Sequence, residues 1–280
     1  MASGCSKDIL KMLYKTLKKP FFGRYMVKWK NPLTEDELQE WEPMDLHSKS
    51  GGVIRCLFAH SRASKAKATI VLGHPMGKAA KGYFLKYGYT DLLLDNGFNV
   101  MIFDLNGFGE STHGNFSYYY DIIAVSQIAK NLTPTLPIGY HGISLGGMWA
   151  AVSFADETHC YDFAILESVA TSLEDFWVNF PMAYRVLKIL GFFMPRYQRH
   201  VRMIDRIKQV KNLNSLLFIY SQTDPWTTVA MGEQFVKNSN VKAELWTVAD
   251  AKHAYIMKSS HKKEYEQKIL DYFNEMSRKQ

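Results

Sequence analysis

Three observations place this chain in the α/β class, with a mostly parallel central sheet, helices on both faces and an inserted helical cap. After residue 42, β-like and helix-like runs alternate, as a sheet covered on both faces by helices requires. The runs Ala68 to Gly73 and Asn99 to Leu105 read as buried strands. The rhythm then stops between Ser168 and Leu213, where no strand-like stretch occurs and Phe176, Trp177, Phe180, Tyr184, Phe192, Phe193 and Tyr197 gather.

The elements follow in order. Residues 1–42 form a basic amphipathic helix and the linker Asn31 to Glu42. In the helix Ile9, Leu13 and Leu17 line one face, joined by Leu10 and Tyr14, while Lys7, Lys11, Lys15 and Lys18 line the other. The core, residues 43–167 and 214–280, opens with a strand over Gly52 to His60, followed by the strand Ala68 to Gly73. A helix over Tyr83 to Asn96, the strand Asn99 to Leu105 and a helix over Ser117 to Lys130 come next. Then follow the strand Pro137 to Ile143, a helix over Leu145 to Glu157 and the strand Phe163 to Glu167. The cap, residues 168–213, is helical, its helices cut by Pro181 and Pro195. The rhythm resumes with Ser215 to Tyr220, a helix over Val229 to Asn238, the strand Ala243 to Val248 and a terminal helix over Lys262 to Ser277.

At 280 residues and 47% hydrophobic content, one domain with a sizeable core is expected. No apolar run approaches the length of a membrane span, the longest candidate, Val186 to Met194, being broken by Lys188 and Gly191. The start lacks the continuous apolar stretch of a secretory signal, so a cytoplasmic protein is expected. Cys5, Cys56 and Cys160 have no paired spacing and fit a reducing compartment. The net charge of +7 resides entirely in residues 1–30, the remaining 250 residues summing to zero. A nucleic-acid partner is therefore not expected, since no stacking platform accompanies the charge. The helix of residues 7–19 is instead a candidate for peripheral contact with an anionic membrane, against the simpler expectation that its apolar face docks on the body.

Gly142-Ile143-Ser144-Leu145-Gly146 lies where a strand gives way to a helix and matches the G-x-S-x-G elbow. Such a turn holds Ser144 in a strained conformation, and glycine at 142 and 146 removes collisions with neighbouring backbone. A serine hydroxyl needs a base and an acid to become a nucleophile. Asp224, in Ser221-Gln222-Thr223-Asp224-Pro225, and His253, in Asp250-Ala251-Lys252-His253-Ala254, each follow a strand and would emerge on the edge where the elbow lies. The oxyanion would meet the N–H of Leu145 and that of Met76, in the loop Gly73-His74-Pro75-Met76-Gly77.

Those segments, together with Phe103-Asp104-Leu105-Asn106-Gly107-Phe108-Gly109-Glu110-Ser111, resemble the signposts of the α/β-hydrolase superfamily over roughly residues 45 to 277. The likeness is greatest to its lid-bearing serine hydrolases, which include monoacylglycerol lipases, acyl thioesterases, esterases and aminopeptidase-like proteins. The resemblance implies Ser144 as nucleophile, His253 as base, Asp224 as acid, and Met76 and Leu145 as oxyanion donors. One departure is visible: the family often carries arginine where this chain has Asn106.

The expectation is thus a serine hydrolase acting on an ester or thioester, with a hydrophobic small-molecule acyl substrate. Transfer to an acceptor other than water, amidase activity and non-catalytic binding are the alternatives. No cofactor and no metal are expected, as no His, Cys, Asp or Glu spacing fits one and neither a P-loop nor a dinucleotide glycine pattern occurs. Asp104 reads as a turn-former, His74 and His141 as packing or capping residues, and Glu167 as a spare acid for His253. The cap cations Arg185, Lys188, Arg196, Arg199, Arg202, Arg206, Lys208 and Lys211 suggest an anionic leaving group.

Overall fold

The computed structural model describes residues 2–195 and 202–279, so that Arg196, Tyr197 and Arg199 of the cap lie outside the described residues. Eight strands form one sheet: β1 Glu42–His47, β2 Val53–Ala59, β3 Ala68–Gly73, β4 Phe98–Phe103, β5 Ile138–Ile143, β6 Phe163–Glu167, β7 Ser215–Ser221 and β8 Lys242–Val248. Their order is β1-β2-β4-β3-β5-β6-β7-β8, with β2 antiparallel to β1 and β4 and every later pair parallel. Strands β3 to β7 are buried along their whole length, which is why they read in the sequence as nearly unbroken apolar runs.

Helices cover both faces. They are α1 Ala2–Phe22, α2 Glu35–Leu38, α3 Gly82–Lys86, α4 Tyr89–Asp95, α5 Tyr119–Leu132, α6 Leu145–Ser153, α7 Leu173–Trp177, α8 Pro181–Phe193, α9 Met203–Arg206, α10 Val229–Asn238 and α11 Lys262–Arg278. One apolar cluster joins the end of α1, α5, α6, the cap and α10 to the sheet, and the other joins α3, α4 and α11 to the opposite face. The segment expected as a cap supplies α7, α8 and α9 between β6 and β7.

Four expectations need correction. Residues 42–47 form an additional edge strand, hidden in the sequence because only Leu46 of the six is buried and Pro43 interrupts the pattern. The helix expected over Tyr83 to Asn96 is two helices, broken where Gly88 adopts φ +75°. The linker Asn31 to Glu42 is not free chain: it contains α2, and Trp41 is buried in the second apolar cluster.

The largest correction concerns α1. Only part of its expected apolar face docks: Tyr14 is buried and Leu17 half-buried, whereas Ile9 is 63%, Leu10 49% and Leu13 51% exposed. The helix seats through Tyr14 together with Lys18, Phe21 and Phe22. Lys18, expected on the solvent side, is fully buried. Its ammonium donates to the Asn106 Oδ1 and sits 4.4 Å from the Tyr118 ring. Burial lowers its pKa to about 7, while the nearby Asp121 carboxylate opposes that shift. Asp121 in turn accepts from the Ser50 hydroxyl at 2.6 Å, the Asn106 N–H at 3.0 Å and the Asn106 Nδ2 at 2.7 Å. The turn that lacks an arginine at 106 therefore gets its cation from the N-terminal helix.

Candidate active site

Ser144 stands between β5 and α6 at φ +49°, ψ −110°, a conformation an L-residue adopts only when its surroundings force it. Neighbouring glycines permit the turn. A β-carbon at position 142 would lie 2.8 Å from the backbone of Gly147, and one at 146 would lie 2.2 Å from the Gly73 carbonyl oxygen. The Ser144 N–H donates to the Glu167 carbonyl at 2.8 Å, fixing the elbow to β6.

Because β5, β7 and β8 run parallel, the loops that follow them open on the same edge, and three distant side chains meet there. The Ser144 Oγ is 2.7 Å from the His253 Nε2, and the His253 Nδ1 is 2.7 Å from the Asp224 Oδ2. Ser144 and Asp224 are buried, and only 9% of the His253 side chain is exposed. Asp224 is held as an ion. Burial pushes its pKa up, but the bonds from His253, the Thr227 hydroxyl and the Trp226 N–H outweigh that, leaving it below the usual carboxylate range. Its Oδ1 accepts from the Trp226 N–H at 2.9 Å and the Thr227 N–H at 3.2 Å, a local turn that aims the other oxygen at the imidazole.

Thr227 was not foreseen from the sequence. Its hydroxyl donates to the Asp224 Oδ2 and lies 3.3 Å from the His253 Nδ1, so it braces both partners. The available signal was the Asp-Pro-Trp-Thr string itself, since an aspartate commonly captures the N–H groups two and three residues on.

The loop after β3 closes over the elbow. His74 is fully buried; its Nδ1 bonds the Pro75 carbonyl at 2.8 Å and its Nε2 accepts from the Leu105 N–H at 3.1 Å. Burial lowers its pKa, which suits an imidazole that accepts a hydrogen bond. The His74 carbonyl accepts from the Gly146 N–H at 3.1 Å. His74 is thus a clamp between the loop, the β4 turn and the elbow. Met76 and Leu145 both border the crevice beside Ser144, and among the described residues no backbone hydrogen bond engages either N–H. Two unengaged backbone donors beside a hydroxyl are the kind of groups that can stabilise an oxygen that gains negative charge.

The remaining acids and histidines go elsewhere. Glu167 is buried, accepts from the Tyr265 hydroxyl and lies 3.5 Å from the His141 Nε2, so it does not serve His253. Asp104 accepts from the Lys81 N–H at 2.8 Å, the Lys81 ammonium at 2.6 Å and the Glu110 N–H at 3.0 Å, a turn-former as its sequence suggests, with a buried cation added. The described cap cations are largely occupied away from the site: Lys188 pairs with Glu174 at 2.8 Å, and Arg202 and Lys208 pair with Asp205 at 2.6 Å and 3.5 Å. No group of three metal-ligating side chains occurs among the described residues.

A cavity of about 830 Å³ opens above Ser144 and His253, bordered by Phe176, Phe180 and Trp226. Beside it, between the end of α1 and the cap, lies a separate apolar slot of about 230 Å³. Phe22, Leu173 and Trp177 form the partition, because they border both the slot and the narrow crevice at Ser144. No helix among the described residues is long and apolar enough to cross a membrane.

Comparison with known proteins agrees with this architecture. The family described as "Serine aminopeptidase, S33" matches residues 64–233. The uncharacterized protein YqkD of Bacillus subtilis (strain 168) is 27% identical over 210 residues, covering 68% of this chain and 66% of its own length. The chain therefore matches just under two thirds of that relative. The Pyrococcus furiosus esterase Pf2001 superposes with a TM-score of 0.69 at 17% identity, over 90% of this chain and all of its own. Est1E from Butyrivibrio proteoclasticus gives 0.63 at 16% identity, over 84% and 98% of the two chains. The Pyrococcus horikoshii acylaminoacyl peptidase gives 0.62 at 15% identity, over 86% of this chain and 42% of its own. At these identities the structures speak for the fold alone, whereas the family match extends over more than half of the sequence. The chain belongs to the serine aminopeptidase S33 family of α/β hydrolases.

Proposed function

We propose that this protein is a serine hydrolase that cleaves carboxylic esters or thioesters through an acyl-enzyme on Ser144. The observation that carries the reading is the continuous row from the Ser144 Oγ through His253 to Asp224, beside the N–H groups of Met76 and Leu145. In the first step the Ser144 oxygen bonds to the carbonyl carbon and its proton passes to the His253 Nε2. The oxyanion rests on the two N–H groups, and the leaving alcohol or thiol departs with the proton from His253. Water, deprotonated by the same imidazole, then releases the acid and restores the serine. Asp224, kept ionised, stabilises the imidazolium and fixes the ring's tautomer. Labelling of Ser144 by a neutral fluorophosphonate, and loss of that labelling in Ser144→Ala, is the direct test.

An ester or thioester is favoured over an aminopeptidase substrate by the mouth of the site. An aminopeptidase has to hold a free ammonium group, and among the described residues no carboxylate borders the large cavity. Turnover of aminoacyl anilides in preference to esters would reverse this choice.

The apolar slot is assigned to the acyl chain, reached when the Trp177 or Phe22 side chain rotates. Each methylene buried there contributes about 0.8 kcal/mol, so two add roughly a tenfold preference. Leu187→Trp, which fills the slot, is expected to lower the ratio of kcat/KM for p-nitrophenyl octanoate over acetate by about tenfold or more. An unchanged ratio would place the chain elsewhere.

Contact with anionic membrane is a second reading, favoured by the exposed Ile9, Leu10, Met12 and Leu13 of α1 among Lys11, Lys15 and Lys19. The protein is expected to cosediment with phosphatidylglycerol vesicles at low salt, and Ile9→Ser combined with Leu13→Ser is expected to weaken that binding several-fold. Equal sedimentation of the wild type with and without vesicles would remove the reading.

A further inference from the structure

The mouth of the cavity carries a charge pattern that acyl transfer does not use. Arg24, just past α1, Lys78, on the loop after β3, Lys86, at the end of α3, and Lys258, on the turn Ile256–Lys258, all border it. No Asp or Glu does so among the described residues. Neighbouring lysines are neutralised: Lys81 meets Asp104 at 2.6 Å and Glu110 at 2.7 Å, and Lys188 meets Glu174 at 2.8 Å. None of the four mouth cations takes part in a described ion pair. Lys78, Lys86 and Lys258 belong to residues 31–280, which sum to no net charge, so their gathering is local and not a sample of a basic surface; Arg24 comes from the basic N-terminal segment.

Three of the four are braced without being neutralised. The Lys258 ammonium stands 3.3 Å from the centre of the Tyr255 ring, 3.5 Å from that of Tyr87 and 5.1 Å from that of Tyr83. Lys86 lies 5.5 Å from the Tyr87 ring, and the Arg24 guanidinium 5.9 Å from that of Tyr25. Aromatic faces restrain a cation and leave its charge directed outward, where a carboxylate would cancel it. A cleft bordered by a single sign of charge concentrates ligands of the other sign.

We propose that the leaving group of the substrate carries a phosphate, held by Arg24, Lys78, Lys86 and Lys258 while the acyl chain occupies the apolar slot. This rests on the reading of Ser144 as nucleophile. The division follows from the two compartments, since the charged residues that line the slot, among those described, are Glu174 and Lys188, which pair with each other and leave no free cation for an anionic head. A phosphate, with three oxygens and up to two charges, can answer cations arriving from four separate segments, whereas a lone carboxylate is suited to one bidentate arginine. The phosphate bonds stay intact throughout; the bond broken is the acyl C–O or C–S, and the phosphorylated alcohol or thiol leaves with the His253 proton.

Two sources of such a group, a glycerophosphate and coenzyme A, are separated by matched substrates. The first pair is 1-dodecanoylglycerol and 1-dodecanoylglycerol 3-phosphate; the second is the dodecanoyl thioester of N-acetylcysteamine and dodecanoyl-coenzyme A. In one pair the phosphorylated member is expected to show about tenfold or higher kcat/KM, and that pair identifies the source. The ratio is expected to fall towards one in the triple variant Lys78→Gln, Lys86→Gln, Lys258→Gln, and to shrink when NaCl is raised to about 0.5 M. Should that variant lose its native circular dichroism, the double variant of the exposed Lys78 and Lys86 is read instead, with about a threefold fall expected. Ratios near one in both pairs for the wild type, or ratios that no substitution moves, would overturn the proposal. Fluorophosphonate labelling in the same preparations keeps the two readings apart, since its failure would strike at Ser144 and not at the phosphate.

Discussion

Ser144→Ala is expected to lower ester hydrolysis by about 10⁴-fold or more while leaving the fold intact. Alanine retains the β-carbon, so the backbone strain at φ +49° is unchanged, and what is lost is the oxygen that faces the His253 Nε2 at 2.7 Å. His253→Ala is expected to cost a similar factor, and the pair together little more than either alone, because the two act as one unit. Asp224→Asn removes the charge that stabilises the imidazolium and is expected to cost about 10⁴-fold. Rates on p-nitrophenyl butyrate, with circular dichroism as the control for folding, measure all of these. Near wild-type turnover by natively folded Ser144→Ala would refute the nucleophile.

Asp104→Ala is expected to destabilise the protein by about 3–5 kcal/mol without touching the catalytic row. The Asp104 carboxylate is fully buried and is the partner of an ammonium, that of Lys81, which is itself only 1% exposed. Removing it leaves Lys81 with Glu110 at 2.7 Å and the Trp29 ring at 4.4 Å, and orphans the Lys81 and Glu110 N–H groups. Each loss adds to the others, and a domain of ordinary stability, about 5–15 kcal/mol, has little margin for such a change. The midpoint of urea unfolding at unchanged slope reads the effect. A shift below about 0.5 kcal/mol would mean that Lys81 finds another anion or escapes to water. Since Lys81 directly follows the loop that carries Met76, a fall in kcat is expected to accompany the loss of stability.

The fold was largely legible because fully covered strands have to be apolar along their length, as Ile70, Val71, Leu72 and Val100, Met101, Ile102 are. The elbow was legible for a different reason: only glycine fits at 142 and 146, so the backbone requirement is written directly in the sequence. What escaped depends on partners far away in the chain. An edge strand with one buried residue has no periodic signature, and β1 was missed. The burial of Lys18 depends on Asn106, Tyr118 and Asp121, about ninety or more positions on, and nothing near Lys18 announces them. Composition likewise pointed to the cap for cations that meet an anionic leaving group, whereas the cations bordering the cavity among the described residues come one each from four other segments. The partition residue Phe22 was hidden because its segment belongs to a helix read for its charge.

The seating of α1 also fixes an order of assembly. Residues 2–22 leave the ribosome well before residues 106–121, yet the carbonyl that receives the Lys18 ammonium and the rings that shield it lie in that later stretch. An ammonium group enters a dry interior only when its acceptors are already waiting there, since entering alone would forfeit its hydration. This helix must therefore idle until the fourth strand's turn and the following helix have formed, and then close as a latch across about a third of the chain.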